Sequence, residues 1–168
     1  ESNWEANVDI VDGSLLINSR GSGGFVIVHD PWRPAQSGGG HLGPNPGEFD
    51  RDLIDKRLDV GVFQTNSLEE NIFFSGIPIL ETSIISDQPS FDICLALSVV
   101  NDNKKTVNQF STGFLRVRKS KTDKASNYEI TMHPTNLCIL KGNKIRLSIS
   151  AAAYPAIGVN NGTGDEML

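Results

Sequence analysis

Hydrophobic side chains recur at every second position through much of this chain. Phe91, Ile93, Leu95, Leu97 and Val99 make one run, Tyr128, Ile130 and Met132 another, and Ile145, Leu147 and Ile149 a third. Successive side chains of a strand point to opposite faces, so this alternation turns one face to a core and the other to solvent, as antiparallel strands do. Residues 24–28 (GFVIV), 59–65 (DVGVFQT), 77–86 (IPILETSIIS) and 113–119 (GFLRVRK) add β-branched and aromatic strand candidates. Turn-rich stretches at 86–90, 101–105, 121–127 and 141–143 separate the runs. No window sustains helical spacing. The nearest is 46–58, where Phe49, Leu53 and Ile54 are expected to line a short helical turn. Many short strands with regular turns predict an all-β fold, a β-sandwich of jelly-roll type.

Two regions break the pattern. Residues 31–58 form a long Gly/Pro-rich arm, and residues 158–168 a polar tail with no strand after it. A connection as long as the arm is normally functional or lies along another surface. At 168 residues the chain is read as one domain, 1–168, long enough to build its own core.

Charge and composition narrow the partners. A formal net charge of −5 offers no basic footprint for nucleic acid. No apolar run approaches the ~20 residues of a membrane helix. The opening ESNWEANVDIVDG is acidic and polar, unlike a signal peptide, and lacks an initiator Met, so a fragment or processed product is expected. Cys94 and Cys138 lack metal-type spacing and are expected to be buried free thiols in a cytoplasmic protein.

The stretch HDPWRPAQSGGGHLG (29–43) invites a catalytic reading, since it holds His29, Asp30, Trp32, His41 and a G-x-G-x-x-G match at Gly38, Gly40 and Gly43. The match fails on context, because Gly43 is followed by Pro44-Asn45-Pro46 rather than by a helix that could receive a pyrophosphate. No Gly-Lys dipeptide and no G-x-S-x-G elbow occur. His29 and His133 end strand patterns, and neither they nor His41 have a spacing that predicts a base or a metal site. The acids Glu69, Glu70, Asp50, Asp52, Asp55 and Asp59 read as solvated surface rather than as a glycosidase pair. The basic run Arg116, Arg118, Lys119, Lys121 and Lys124 reads as the wet face of a strand. Asn161-Gly162-Thr163 matches a glycosylation sequon. No catalytic set, cofactor or metal is expected of this chain.

The order of segments is similar to that of a known family. HDPWRPAQSGGGHLG, RLDVGVFQTNSLEENIFFSG (57–76), SFDICLALSVV (90–100), STGFLRVR (111–118) and PTNLCILKGNKIRLSISAAAYPAIGVNNGTG (134–164) together resemble the C-terminal domain of X-Pro dipeptidyl-peptidases and cocaine-esterase-like serine hydrolases. Asp92, Gly142, Arg146, Tyr154-Pro155, Asn160, Thr163 and Gly164 fall on the pattern. Ser90 and Thr112 stand where the family carries acids, and Gly142-Asn143-Lys144 replaces a Gly-His-Arg turn. The family usually closes with one more strand than this chain supplies. The resemblance implies a galactose-binding-domain-like jelly roll that follows an α/β-hydrolase domain holding the Ser, Asp and His. Such a domain packs on the catalytic domain, shapes the substrate cleft and can contribute to a homo-oligomer. In that frame Asp30-Pro31 sets a turn and Trp32 and the glycines let the arm lie against a neighbour. Asp30, Trp32, Arg57, Asp59, Asp92, Tyr154 and Asn160 are the candidate interdomain or ligand contacts. Two rival readings stay open. One is a free-standing carbohydrate-binding module using Trp4, Trp32 and Tyr154, and the other an independent enzyme using His29, His41 or His133.

Overall fold

A computed structural model describes residues 13–16, 23–40, 46–119 and 123–164. His41 and Trp4 lie outside the described residues, as do Lys121 and the last four positions of the tail. The strands are β1 (Gly13–Ser14), β2 (Phe49–Asp50), β3 (Val60–Gln64), β4 (Ile72–Gly76), β5 (Ile79–Ile84), β6 (Phe91–Asn101), β7 (Thr106–Val117), β8 (Ser126–Thr131), β9 (Thr135–Ile139) and β10 (Lys144–Ser150). One short helix, α1 (Asp52–Asp55), falls inside the arm.

The main sheet has six strands in the order β1-β3-β10-β6-β7-β2. Its spine is the hairpin of β6 and β7, turned at 102–105, where Asn101 Oδ1 accepts the Lys104 N–H at 2.9 Å and Lys105 takes a positive φ of 53°. The second layer is a ribbon in two halves, β4 with β9 and β5 with β8. Pro78 and Pro134 lie where the halves part, and neither can donate to a ladder. There the ribbon docks on β7: His133 N–H reaches the Thr112 carbonyl at 2.8 Å, and the Ser111 hydroxyl reaches the His133 carbonyl at 2.7 Å. Gly113 permits the approach, since a Cβ there would sit 2.8 Å from Met132 Cγ and 3.1 Å from the Thr131 carbonyl.

Between these layers Ile93, Leu95, Leu147 and Ile149 of the sheet pack on Ile130 and Met132, with Leu80, Ile84 and Phe91 around them. The alternating runs thus mark this core correctly. Their other face departs from expectation. Ser98 and Ser148 are 0% and 1% exposed, and Cys94 and Ala96 are buried beside them. The arm covers that face, placing Ala35 and Ile54 against Val60, Val62 and Ala152, with Phe49 alongside. Gly38 lets the arm close down, because a Cβ there would lie 2.2 Å from the Phe49 ring. Leu53 does not line the helical turn's inner side; it points to solvent at 82% exposure, while Ile54 turns in.

Polar groups lock the arm in register. Arg51 Nε donates to Asp55 Oδ1 at 3.1 Å and its NH1 to Gln109 Oε1 at 3.0 Å. Arg146, on β10, donates to Gln64 Oε1 at 2.9 Å and approaches Asp55 Oδ2 at 3.4 Å. Gln109 Nε2 then donates to the Gly38 carbonyl at 3.1 Å. Asp55, read from sequence as solvated, is therefore a buried anion between two arginines.

Other expectations shift for local reasons. Residues 24–28 join no strand, although Phe25 lies over Gly61 and meets Phe63 edge-on at 4.9 Å between ring centroids. The tail's described part, 158–164, folds back on the sheet end, where Ser90 N–H donates to the Gly162 carbonyl at 3.2 Å. Cys94 is buried as expected, but Cys138 is exposed because it sits on the outer side of the β4–β9 ladder.

Removing one partner of a buried ion pair strands its charge, typically at about 3–5 kcal/mol. Asp55→Ala should therefore lower unfolding stability by about that amount, whereas Leu53→Ala, two residues away and exposed, should stay within about 0.5 kcal/mol. Urea midpoints of the two variants measure the contrast.

Candidate functional site

Three groups of residues concentrate the polar chemistry. The first lies where β6 and β7 pair: Asp92 faces Arg116 directly across the ladder. Arg116 Nε and NH2 grip the carboxylate at 2.8 and 2.7 Å, a two-point pairing that suits guanidinium and carboxylate alike. Asp92 also accepts from Asn160 Nδ2 at 2.8 Å, and that amide bonds the Ser90 hydroxyl at 2.9 Å. Arg116 reaches on to the Gly158 carbonyl, and the His29 ring lies 3.2 Å from the Asn160 carbonyl. The cluster is a clasp that fastens the closing segment to the sheet. Hydrogen bonding to Asp92 raises the Arg116 pKa further, so the guanidinium stays charged.

The second group joins the arm to the start of β3. Arg57 donates twice to Asp59, both at 2.7 Å, and its NH2 also meets the Arg33 carbonyl at 2.6 Å. Upstream, Asp30 Oδ1 accepts the Trp32 N–H at 2.9 Å while its carbonyl accepts the Arg33 N–H at 3.0 Å, so the expected Asp-Pro turn forms. The result presents Trp32 at 93% exposure and Leu58 at 88%. The third group is Tyr154, whose N–H and carbonyl pair with Ala35 and Ser37 and tether the arm's other end. Its ring is about half exposed.

Among the candidate residues, Asp92 and Asn160 come together, as do Arg57 and Asp59, with Asp30 and Trp32 nearby through Arg33. These pairs do not merge into one pocket. Arg116 is the residue that sequence reasoning misplaced on a wet face. Strand pairing was the available signal: folding the chain about the turn at 102–105, with Phe110 of β7 as the one extra residue opposite the Leu97–Ser98 step, sets Asp92 opposite Arg116.

Nucleophilic chemistry finds no working pair among the described residues. Thr112 Oγ1 lies 3.2 Å from His133 Nδ1, but that nitrogen is 2.8 Å from the Thr112 carbonyl, which can only accept. Nδ1 must then carry the proton and cannot take the threonine's. No group of His, Cys, Asp and Glu suited to a metal ion occurs among the described residues. A hollow of about 60 Å³ between arm and sheet is lined by Ser37, Gly38, Cys94, Gln109, Thr112 and Phe114, among others. Burial, reinforced by the Asp92 charge, pushes the Cys94 thiol from 9.0 up to about 12.

Comparison with known proteins decides what this frame is. The family described as the X-Pro dipeptidyl-peptidase C-terminal non-catalytic domain matches residues 9–167. The chain belongs to this family. Solved structures share the fold. An aminopeptidase from a marine sediment Thaumarchaeota archaeon superposes with a TM-score of 0.71 at 18% identity, over 82% of this chain and 27% of that one. An α-amino acid ester hydrolase gives 0.71 at 17% identity, over 82% and 26%. A CocE/NonD family hydrolase from Staphylococcus aureus gives 0.53 at 15%, over 70% and 26%. Among curated proteins no sequence matches. The chain thus spans about a quarter of the length of the structures it resembles.

In this domain the clasp and the thiol each make a prediction. Arg116→Ala leaves Asp92 buried with only Asn160 beside it and should cost about 3–5 kcal/mol. Asp92→Ala leaves an arginine that can hydrate and should cost less. A double-mutant cycle should return a coupling of about 1–3 kcal/mol. For Cys94, the unfolded thiol ionises near 9 and the native thiol near 12, so between these values the unfolded state binds fewer protons. Stability from this group is intact below pH 9 and falls towards pH 12, with a slope no steeper than about 1.4 kcal/mol per pH unit. Denaturation as a function of pH should show this decline steeper in the parent than in Cys94→Ala. At pH 8 a thiol reagent should label the exposed Cys138 and spare Cys94.

Proposed function

We propose that this domain is the C-terminal, non-catalytic part of a serine hydrolase of X-Pro dipeptidyl-peptidase or acyl-esterase type. In this reading the Ser, His and Asp of the triad belong to an α/β-hydrolase domain of the same polypeptide. The β-sandwich packs on that domain and walls part of its substrate cleft. The observation that carries the proposal is the family match, which runs almost end to end over a chain a quarter as long as the hydrolases it resembles. The arm supports a packing role, since it holds large apolar side chains outward on a backbone fixed from both ends. Trp32, Leu53 and Leu58 are the contacts we assign to the catalytic domain, with Asp30, Arg57 and Asp59 shaping the backbone behind them. Asp92, Asn160 and Tyr154 act as internal fasteners. A cytoplasmic setting suits a domain with an exposed free thiol and no disulfide among the described residues. No helix of the described chain is long and apolar enough to cross a membrane.

The experiment follows the coding region in both directions and assays its full product on an X-Pro anilide and an aryl ester. The long polypeptide should turn over at least one of them and lose that activity to a serine reagent, while the 168-residue chain alone should give only background. Turnover by the short chain, or an open reading frame confined to it, would overturn the reading. Joint replacement of Trp32, Leu53 and Leu58 by alanine should lower activity in the long polypeptide through loss of interdomain packing, with the fold of this domain intact.

A further inference from the structure

The closing segment carries the chain's one Asn-Gly pair, Asn161-Gly162, and presents it in a defined geometry. Asn161 is exposed, and its Oδ1 receives two bonds from Thr163, one from the N–H at 3.2 Å and one from the hydroxyl at 3.0 Å. The N–H of Gly162 donates to Asn160 Oδ1 at 2.9 Å. Asn160 itself is buried and bound to Asp92 and Ser90, so this acceptor is held still.

We propose that Asn161 is a site of spontaneous covalent modification through a succinimide. The Gly162 nitrogen attacks Cγ of Asn161, forming a C–N bond. The Cγ–Nδ2 bond breaks, and ammonia leaves with the former Gly162 amide proton. Water then adds to either ring carbonyl and opens it, giving an aspartyl residue or, when the backbone is rerouted through the side chain, an isoaspartyl one. No oxidant or reductant is needed.

Three features of the structure favour the step. Glycine places no Cβ beside the attacking nitrogen. The two Thr163 donors draw electron density from Cγ and hold the side-chain amide in one orientation beside its own backbone. Asn160 Oδ1 stands where the Gly162 proton departs. The other exposed asparagines among the described residues, Asn66, Asn71, Asn103, Asn127 and Asn136, precede Ser67, Ile72, Lys104, Tyr128 and Leu137, each of which carries a side chain beside the corresponding nitrogen.

The consequence reaches the clasp. An isoaspartyl linkage lengthens the backbone between Asn160 and Gly162 by one methylene. The Gly162-to-Asn160 bond and the Ser90-to-Gly162 bond both depend on the native spacing. Modification therefore loosens the segment that pins Asn160 to Asp92, making this position a chemical clock on the domain's closure.

The test incubates the intact protein in mildly alkaline buffer at physiological temperature and maps aspartyl and isoaspartyl peptides by mass spectrometry over time. Asn161 should convert about tenfold faster than Asn103 and Asn127, a ratio within reach of one or two hydrogen bonds' influence on the barrier. Thr163→Val should slow conversion at Asn161 severalfold, and Asn161→Ser should abolish the isoaspartyl signal from this peptide. Hydrogen exchange at the Ser90 amide should rise in the converted fraction. Conversion at Asn103 or Asn127 ahead of Asn161 would overturn the proposal, as would a rate at Asn161 unmoved by Thr163→Val.

Discussion

Arg146 stands in the middle of the main sheet with its side chain buried, and the placement of the arm's described residues 46–58 follows from what meets it there. A guanidinium taken out of water is tolerable only when its donors are matched by acceptors. Gln64 supplies one from the neighbouring strand and Asp55 another from α1. Asp55 is in turn held by Arg51, which also bonds Gln109. Sliding the arm by one residue would leave several buried charges unpaired at once, a penalty far above what an apolar contact could return. The ion pairs therefore act mainly on register, and the apolar contacts of Ala35, Ile54 and Phe49 add the area.

That constraint explains why the sheet tolerates a polar second face. Serines and an arginine on β6 and β10 would suit a solvated surface, yet here they lie beneath the arm. The cost is visible in Ser98 and Ser148, whose buried hydroxyls find no protein partner. A sheet covered on both sides can be gripped at its end from either side, and the clasp uses this. Asp92 and Arg116 sit on the arm-covered face, and Asn160 comes across to them from the closing segment.

The sequence showed the ribbon-facing core plainly, because alternation of apolar residues is a local signal and one buried face suffices to produce it. It concealed the arm-facing side for the same reason. Ser98, Ser148 and Arg146 obey the polar half of the alternation, and only the apolar Cys94, Ala96 and Val100 on the same face of β6 signal that it is covered. The arm's own sequence, rich in glycine and proline, has no periodicity from which its resting place could be read. Asp55 and Arg116 were misjudged in one way: each was taken with its charged sequence neighbours, whereas Arg146 and Asp92, which meet them, lie on distant strands. The Asp30 turn was easier to anticipate, since its chemistry acts within a few residues. The family resemblance reached further than any of these, because it rests on the order of segments rather than on any one site.

The physical case for the arm as a docking element rests on rigidity as much as on exposure. Burying a leucine-sized side chain is worth roughly 1.5–3 kcal/mol, so solvent-facing Trp32, Leu53 and Leu58 forgo a sizeable sum in this domain alone. Single exposed apolar residues are ordinary on protein surfaces. These three differ in standing on one arm whose backbone is tied down by Asp30, Arg57 and the Asp55 network. A surface fixed before contact loses little conformational freedom on contact, so more of the burial energy is left to hold a partner. Flexible loops with the same side chains would lose much of it to ordering. An arm locked from beneath by buried charge and apolar on top is therefore well built to join this domain to the rest of its polypeptide.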